Sequence, residues 1–294
     1  MIIVRIRGGL GNQLFQYSAG YALAKKNNDT LCMDSSFYSK QSLRSFKLDF
    51  LNITYSNKSE KLKLPFVVRL TKNRIVNRFF RRCLRITSYK AKKDYSVLLY
   101  VGKKTVKAFN AASSKNIYVD GYFMSEDFFN DYRDDLLKQF SQKYETSEDY
   151  LKYLTLIKGN NSVAVHIRRG DFLKAKKRDK KYYLLTKEYY ERCFEYMNVH
   201  LEKPVYFFFS DDINWVKENF GTKSNYFFVS LKTNNPDIDE MMLMKSCKNI
   251  ISANSTFSWW AAWLNTNSNP IVLVPNKEYG PDHMIPNRWI KIEV

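Results

Sequence analysis

SVAVHIRRGDF, Ser162 to Phe172, decides the fold. Its alternation puts Val163, Val165 and Ile167 on one face of a strand and Ala164, His166 and Arg168 on the other, and the chain then turns at Gly170. Downstream, PVYFFFS, NYFFVS, KNIISAN and PIVLVP are further short β-rich runs, separated by segments of helical periodicity. That rhythm predicts parallel strands joined by crossover helices. Upstream, IIVRIRG, GGLGN and QLFQYSAGYALAKKN read as strand, glycine loop and helix. The expectation is an α/β chain of two Rossmann-like lobes with a cleft between them, residues 1–155 and 156–294, with Gly159 to Asn161 as linker. Ligands belong at the carboxyl ends of the strands.

A chain of 294 residues is long enough for two cores, and 45% hydrophobic residues with few Gly and Pro exclude a disordered or fibrous protein. No apolar run approaches the roughly 18 residues of a membrane span, and MIIVRIRGG reads as a first strand, not a signal peptide. A cytoplasmic chain is expected. Cys32, Cys83, Cys193 and Cys247 form no CxxC pair and are read as buried thiols. The net charge of +19 concentrates in residues 58–107, a basic insert with 16 Lys/Arg against Glu60 and Asp94. A nucleic-acid binder is the rival class that such charge suggests, but the sequence has no RNP, KH, helix-turn-helix or zinc pattern, and no nucleic-acid partner is expected.

Paired arginines at a strand end suit a diphosphate, because guanidinium offers fixed, bidentate donors to phosphate oxygens. Arg168 and Arg169 are therefore candidate phosphate ligands; the plainer alternative is an Arg168–Asp171 ion pair that ties the turn. In SANSTFSWWAAWL, Asn254, Ser255 and Thr256 stand at a helix start whose free N–H groups can face phosphate, while Trp259, Trp260 and Trp263 read as core. Asp211 and Asp212, just past FFFS, are placed to accept from guanine or ribose, or simply to cap the next helix. The loop GGLGNQ, Gly8 to Gln13, lacks the ending of a Walker loop; its glycines, Gly9 and Gly11 among them, allow close backbone approach, and Asn12 and Gln13 can bond sugar hydroxyls. Asp237-Ile238-Asp239 matches a DxD metal pattern but reads as a helix start with Asp239 as N-cap. Neither a metal site nor a cofactor is expected.

Together GGLGNQLFQYSAGYALA, DGYFMSEDFF, HIRRGDF, FFFSDD and MMLMKSCKNIISANSTFSWWAAWLN resemble glycosyltransferase family 11, the bacterial α-1,2-fucosyltransferases. The resemblance implies a GT-B fold and inverting, metal-independent transfer of L-fucose from GDP-β-L-fucose, a substrate, to galactose in an oligosaccharide or lipid-linked surface glycan. It assigns Arg168 to the β-phosphate, His166 with Asp211 or Asp212 to guanine, and Asn254, Ser255, Thr256 and Phe257 to the phosphate-side loop. Asp171 takes the motif's acidic position, Asn12 is the N-terminal loop asparagine, and the first lobe is the acceptor side. The proton acceptor stays open among Asp171, Glu126 and Asp120. The basic insert lies outside the motifs. In it, Phe66 to Ile86 spaces Val68, Ile75, Val76, Phe79, Phe80 and Leu84 at helical intervals among cations, which suits either a helix packed on its lobe or a peripheral contact with the anionic inner face of the plasma membrane.

Overall fold

The computed structural model of the chain describes residues 1–40, 44–56, 66–71, 73, 75–76, 79, 87–92, 95–99, 104–170, 173, 183–277 and 283–294. It divides into two compact units, Met1–Lys143 with Gly280–Pro286, and Tyr144–Tyr279 with Asn287–Val294.

The first unit is built on β1 (Ile2–Arg5), α1 (Leu10–Lys26), β2 (Leu31–Asp34), α2 (Phe66–Thr71), β3 (Ser88–Lys92), β4 (Tyr95–Leu99), α3 (Lys104–Asn110), β5 (Asn116–Asp120) and α4 (Arg133–Gln139). Its sheet runs β2-β1-β5-β4-β3, parallel except for the antiparallel β3–β4 pair. Ile3, Cys32, Val97 and Tyr118 gather on one face of that sheet, where Val68 of α2 joins them. Helix α1 is buried over most of its length, since one flank meets the sheet and another the aromatic residues Phe129 and Phe140. Close approach to the sheet depends on Gly20: a Cβ there would lie 2.9 Å from Val4 Cβ and 3.0 Å from Leu31 Cδ1.

The second unit comprises α5 (Glu148–Lys158), β6 (Ser162–Ile167), α6 (Lys187–His200), β7 (Val205–Ser210), α7 (Ile213–Phe220), β8 (Tyr226–Phe228), α8 (Pro236–Ser246), β9 (Asn249–Ile251), α9 (Thr256–Trp263), β10 (Val272–Pro275) and β11 (Ile290–Ile292). All its strand pairs are parallel, in the order β11-β10-β9-β6-β7-β8. Strands covered on both faces need apolar side chains at every position. Tyr206 to Phe209 of β7 are accordingly all buried, and Phe207 and Phe208 stack on Phe227 and Phe228 of β8 at 5.1 Å. As the alternation predicts, Val163, Val165 and Ile167 share one core with Tyr189, Tyr190, Cys193 and Met197 of α6. Trp259, Trp260 and Trp263 are buried, so α9 is the core helix expected.

Several local expectations change. The division falls at Lys143/Tyr144, not at 155, because α5 packs on α8 and so belongs to the second unit. Gly159 to Asn161 is then the turn between α5 and β6 and not a linker, with Gly159 as the helix C-cap. The acid-rich stretch from Ser125 to Phe140, whose composition suits one helix, forms two 3₁₀ turns, Glu126–Phe128 and Asn130–Tyr132, before α4, and Phe129 between them leaves the helical region at φ −151°. Phe128 and Phe129 are both buried at that break. Cys32, Cys193 and Cys247 are buried and free, whereas Cys83 lies outside the described residues.

Forcing a branched side chain between α1 and β1 should cost stability by overpacking. Gly20→Val is expected to lower the unfolding free energy by about 1–3 kcal/mol, read as an earlier urea midpoint; an unchanged midpoint would mean that α1 can retreat from the sheet at no cost.

Candidate functional site

In the second unit the strands β9, β6 and β7 are neighbours, so the loops that leave their carboxyl ends meet at one sheet edge. After β7 comes Asp211. Its Oδ1 accepts the Arg169 N–H at 2.9 Å, and its Oδ2 accepts the Gly170 N–H at 3.0 Å and pairs with Arg168 Nη1 at 3.1 Å. One carboxylate thus shapes the whole turn after β6. Gly170 is required there, because a Cβ would stand 2.8 Å from Asp211 Oδ2. Asp212 caps α7 by accepting from Trp215 N at 3.4 Å and holds Arg169 Nε at 3.2 Å, while the Arg169 guanidinium lies 3.6 Å over the Trp215 ring. Both aspartates are therefore engaged in building the turn. The ion pair imagined between Arg168 and Asp171 has Asp211 as the observed partner of Arg168; Asp171 itself lies outside the described residues.

His166 is buried, and its Nδ1 has no hydrogen-bond partner among the described residues. Burial, and then the positive charge of Arg168, lower its pKa to about 3, so the imidazole is neutral. Phe257 stands 5.4 Å from it, ring to ring, at the start of α9. Ser255 caps that helix, accepting from Phe257 N at 3.2 Å, and Thr256 is its first residue. Asn254 donates to the Tyr183 carbonyl at 2.8 Å, leaving its buried Oδ1 without a partner among the described residues. Two unsatisfied polar atoms, one on His166 and one on Asn254, thus belong to adjacent strand ends. Such atoms are costly in a fold and mark places where a ligand supplies the missing bond.

Glu240 escapes a reading of the sequence alone. It is partly buried in α8 beside Asp237, Asp211 and Asp239, and burial first, then those three charges, raise its pKa to about 7 against the opposing pull of Arg168. An acid-rich stretch following Asn235-Pro236 is the signal that could have found it. Pro236 at the first helical position puts Asn235, not Asp239, at the N-cap; Asp239 is inside the helix, buried, and accepts from Tyr144 OH at 2.6 Å. Among the described residues no group of three or more His, Cys, Asp or Glu side chains is placed to hold a metal ion.

In the first unit the glycine loop leaves β1. Gly8 adopts φ +87°, Gly9 is the N-cap of α1, and Gly11 lies in its first turn. Gln13 is fully buried with both ends of its amide used: Nε2 donates to the Gly8 and Ser45 carbonyls at 3.1 and 2.9 Å, and Oε1 accepts from Lys47 N at 2.9 Å. It locks the loop and is not available to sugar hydroxyls. Asn12, by contrast, keeps a buried Oδ1 without a partner among the described residues. Asp120, at the end of β5, is buried between Arg5 at 2.9 Å and Arg7 at 3.1 Å, which removes it from contention as a proton acceptor.

The sequence profile of glycosyl transferase family 11 matches residues 1–291. The chain belongs to glycosyltransferase family 11. Similar proteins include an alpha-1,2-colitosyltransferase of Escherichia coli, 31% identical across 100% of this chain and 99% of that protein, and the E. coli O-antigen biosynthesis glycosyltransferase WbnK, 30% identical across 98% and 99%. The mouse galactoside 2-alpha-L-fucosyltransferase Sec1 is 21% identical over 90% of this chain and 64% of its own length. Solved structures with the same fold include the fucosyltransferase NodZ from Bradyrhizobium, with a TM-score of 0.57 at 15% identity over 89% of this chain and 92% of that one. POFUT1 in complex with GDP-fucose has a TM-score of 0.51 at 14% identity over 93% and 97%. The fold is of the GT-B type, with two Rossmann-like sheets.

Glu240 gives the site a pH signature. A carboxyl whose folded pKa is raised from 4.5 to about 7 costs stability as pH climbs through that interval, because the unfolded chain releases its proton first. Glu240→Gln should therefore raise the melting temperature over wild type at pH 8 and leave it nearly equal at pH 4; a difference independent of pH would show that the fold does not raise the pKa of Glu240.

Proposed function

We propose that this glycosyltransferase transfers L-fucose from GDP-β-L-fucose, with inversion and without a metal ion, to a hydroxyl of galactose in a surface glycan, forming an α-1,2 linkage. The observation that carries the reading is the meeting of His166, Arg168, Asn254 and the α9 start at one edge of the second sheet, in a chain of this family. Departure of the diphosphate concentrates charge on the leaving oxygens. Arg168 and the backbone N–H groups at the start of α9 are positive groups suited to meet it, and preorganised charge of this kind usually contributes more to catalysis than any other effect. The neutral His166 and the partly protonated Glu240 supply, respectively, a ring nitrogen and a carboxyl for the base. Asp211 and Asp212 then act through the turn they build. The proton acceptor on the acceptor side is Asp171 or Glu126, Asp120 being closed between arginines.

A second reading follows from the 31% identical E. coli alpha-1,2-colitosyltransferase. Colitose is L-fucose without its 3-hydroxyl, so one donor site accommodates either sugar unless a residue bonds that hydroxyl. Transfer assays in EDTA with labelled GDP-fucose and GDP-colitose, against β-galactosides and lipid-linked oligosaccharides, decide donor, acceptor and metal dependence together. GDP-fucose turnover onto galactosides in EDTA is expected; Arg168→Ala should lower kcat by about 10²–10³-fold, and Arg168→Lys, which cannot reproduce a fork, should also be poor. Turnover of GDP-colitose alone would replace the donor, and a requirement for Mn²⁺ would overturn the metal-independent mechanism.

Attachment to an anionic membrane completes the reading, because it would concentrate a lipid-linked acceptor. No helix among the described residues is long and apolar enough to cross a membrane. What supports a peripheral contact is that Phe66, Ile75 and Phe79 are 72%, 79% and 52% exposed in the most basic part of the sequence, while Val68 anchors α2 to the sheet. Arg78, Arg81, Arg82 and Arg85 lie outside the described residues. With each basic residue adding about 1 kcal/mol near an anionic surface, the protein should float with phosphatidylglycerol vesicles at low salt and release at high salt. Changing those four arginines to Gln should weaken flotation; equal flotation would place the anchor elsewhere.

A further inference from the structure

Arg168 lies in sequence between His166 and Arg169, and an aromatic side chain holds each of them. Tyr190 of α6 donates its hydroxyl to the His166 carbonyl at 3.1 Å. Tyr190 is fully buried, and burial lifts its hydroxyl well above the usual tyrosine range, so the phenol keeps its proton and remains a donor. The Arg169 guanidinium lies 3.6 Å from the centre of the Trp215 ring, and its Nε is held by Asp212 at 3.2 Å. That same Asp212 carboxylate accepts the Trp215 N–H at 3.4 Å, so carboxylate, guanidinium and indole form one closed group.

The two aromatic residues are linked. Phe220, at the end of α7, meets the Trp215 ring edge-on at 6.2 Å and the Tyr190 ring edge-on at 5.9 Å. Tyr190 belongs to the core of the second unit, and Trp215 and Phe220 pack against that core. Edge-to-face contacts at such separations favour one ring orientation, and a planar guanidinium stacked on indole is likewise held in one plane. Trp215, Phe220 and Tyr190 thus make a continuous buttress from the core to both sides of Arg168. Asp211 completes it by taking the Arg169 N–H and Arg168 Nη1. A guanidinium that meets developing charge acts best when its geometry is set before the ligand arrives, because no reorganisation is then needed.

We infer that Trp215 and Tyr190, joined through Phe220, are positioning residues that hold Arg168 ready for the diphosphate of the donor. The inference rests on the proposed function only in that Arg168 meets this diphosphate; neither the sugar nor the acceptor enters it. Arg169 then has a different part from its neighbour: its guanidinium is committed to Asp212 and Trp215, and it serves Arg168.

Calorimetric titration with GDP and with GMP tests this, because the ratio of the two affinities isolates the terminal phosphate. Wild type should prefer GDP, and Arg168→Ala should abolish the preference. Trp215→Leu, which keeps an apolar side chain but removes the π face, should lower GDP affinity about tenfold and leave GMP affinity unchanged. Trp215→Phe, with a weaker π face, should fall between Trp215→Leu and wild type. Tyr190→Phe deletes only a hydroxyl and should lower GDP affinity by about threefold to tenfold. In the Arg168→Ala background neither Trp215→Leu nor Tyr190→Phe should cost more than about twofold, since both act through the missing arginine. Losses of the same size with and without Arg168, equal losses for GDP and GMP, or a full GDP preference in both Trp215→Leu and Tyr190→Phe overturn the positioning role. A wild type that binds GDP no better than GMP would instead count against the donor reading itself, and the inference would fall with it.

Discussion

The Asp211 carboxylate is the constraint around which the candidate donor site is arranged. It stands at the end of β7 yet determines the conformation after β6, because two successive backbone N–H groups and the Arg168 guanidinium all point at its oxygens. Charge-assisted bonds of this kind are short and directional, and satisfying two N–H groups that have left the strand ladder offsets the cost of a tight turn. Gly170 is the complement of that arrangement, since only a residue without a side chain lets the carboxylate approach. With the turn fixed, His166 and Arg168 issue from one face of β6 beside the end of β9. The arginine's usefulness thus depends on an acid that need not touch the substrate.

The second unit was legible in the sequence to the extent that burial on both faces writes itself as uninterrupted apolar strands. HIRR, FFFSDD and SANSTF could each be placed at a strand end for that reason, and the structure adds that those strands are neighbours. What the sequence hides is which polar atoms are already spoken for. Gln13 and Asn12 look equivalent in GGLGNQ, yet three backbone partners consume the glutamine amide, while the asparagine oxygen has no partner among the described residues. Asp211 and Asp212 read as ligand acceptors because their partners, Arg169 and Gly170, are some forty residues away. Glu240 was missed for a related reason: the acid-rich stretch around it is local, but the contribution of Asp211 comes from another element, and burial is not written in the pattern.

Boundaries were the other weakness. A glycine followed by two asparagines resembles a linker, but Gly159 ends a helix whose apolar side is committed to α8, so the chain's true division lies before that helix. Ser125 to Phe140 has the composition of a single helix but is interrupted at Phe129, where the backbone leaves the helical region between two 3₁₀ turns. At Gly159, tertiary packing overrode a reasonable local preference.

The two units handle charge differently. In the second, acids outnumber the two arginines of the turn, and one of them, Glu240, titrates near neutrality; in the first, Arg5 and Arg7 are matched by Asp120 and Asp34. The stacking of Arg169 on Trp215 has a consequence in light. Of the chain's five tryptophans, Trp259, Trp260, Trp263 and Trp289 are buried, while Trp215 lies directly under a guanidinium at the turn. Indole emission responds to a nearby charge, so the protein carries its own fluorophore at the place where a nucleotide's phosphates would draw on the arginines, against a background from four others that are held in the core.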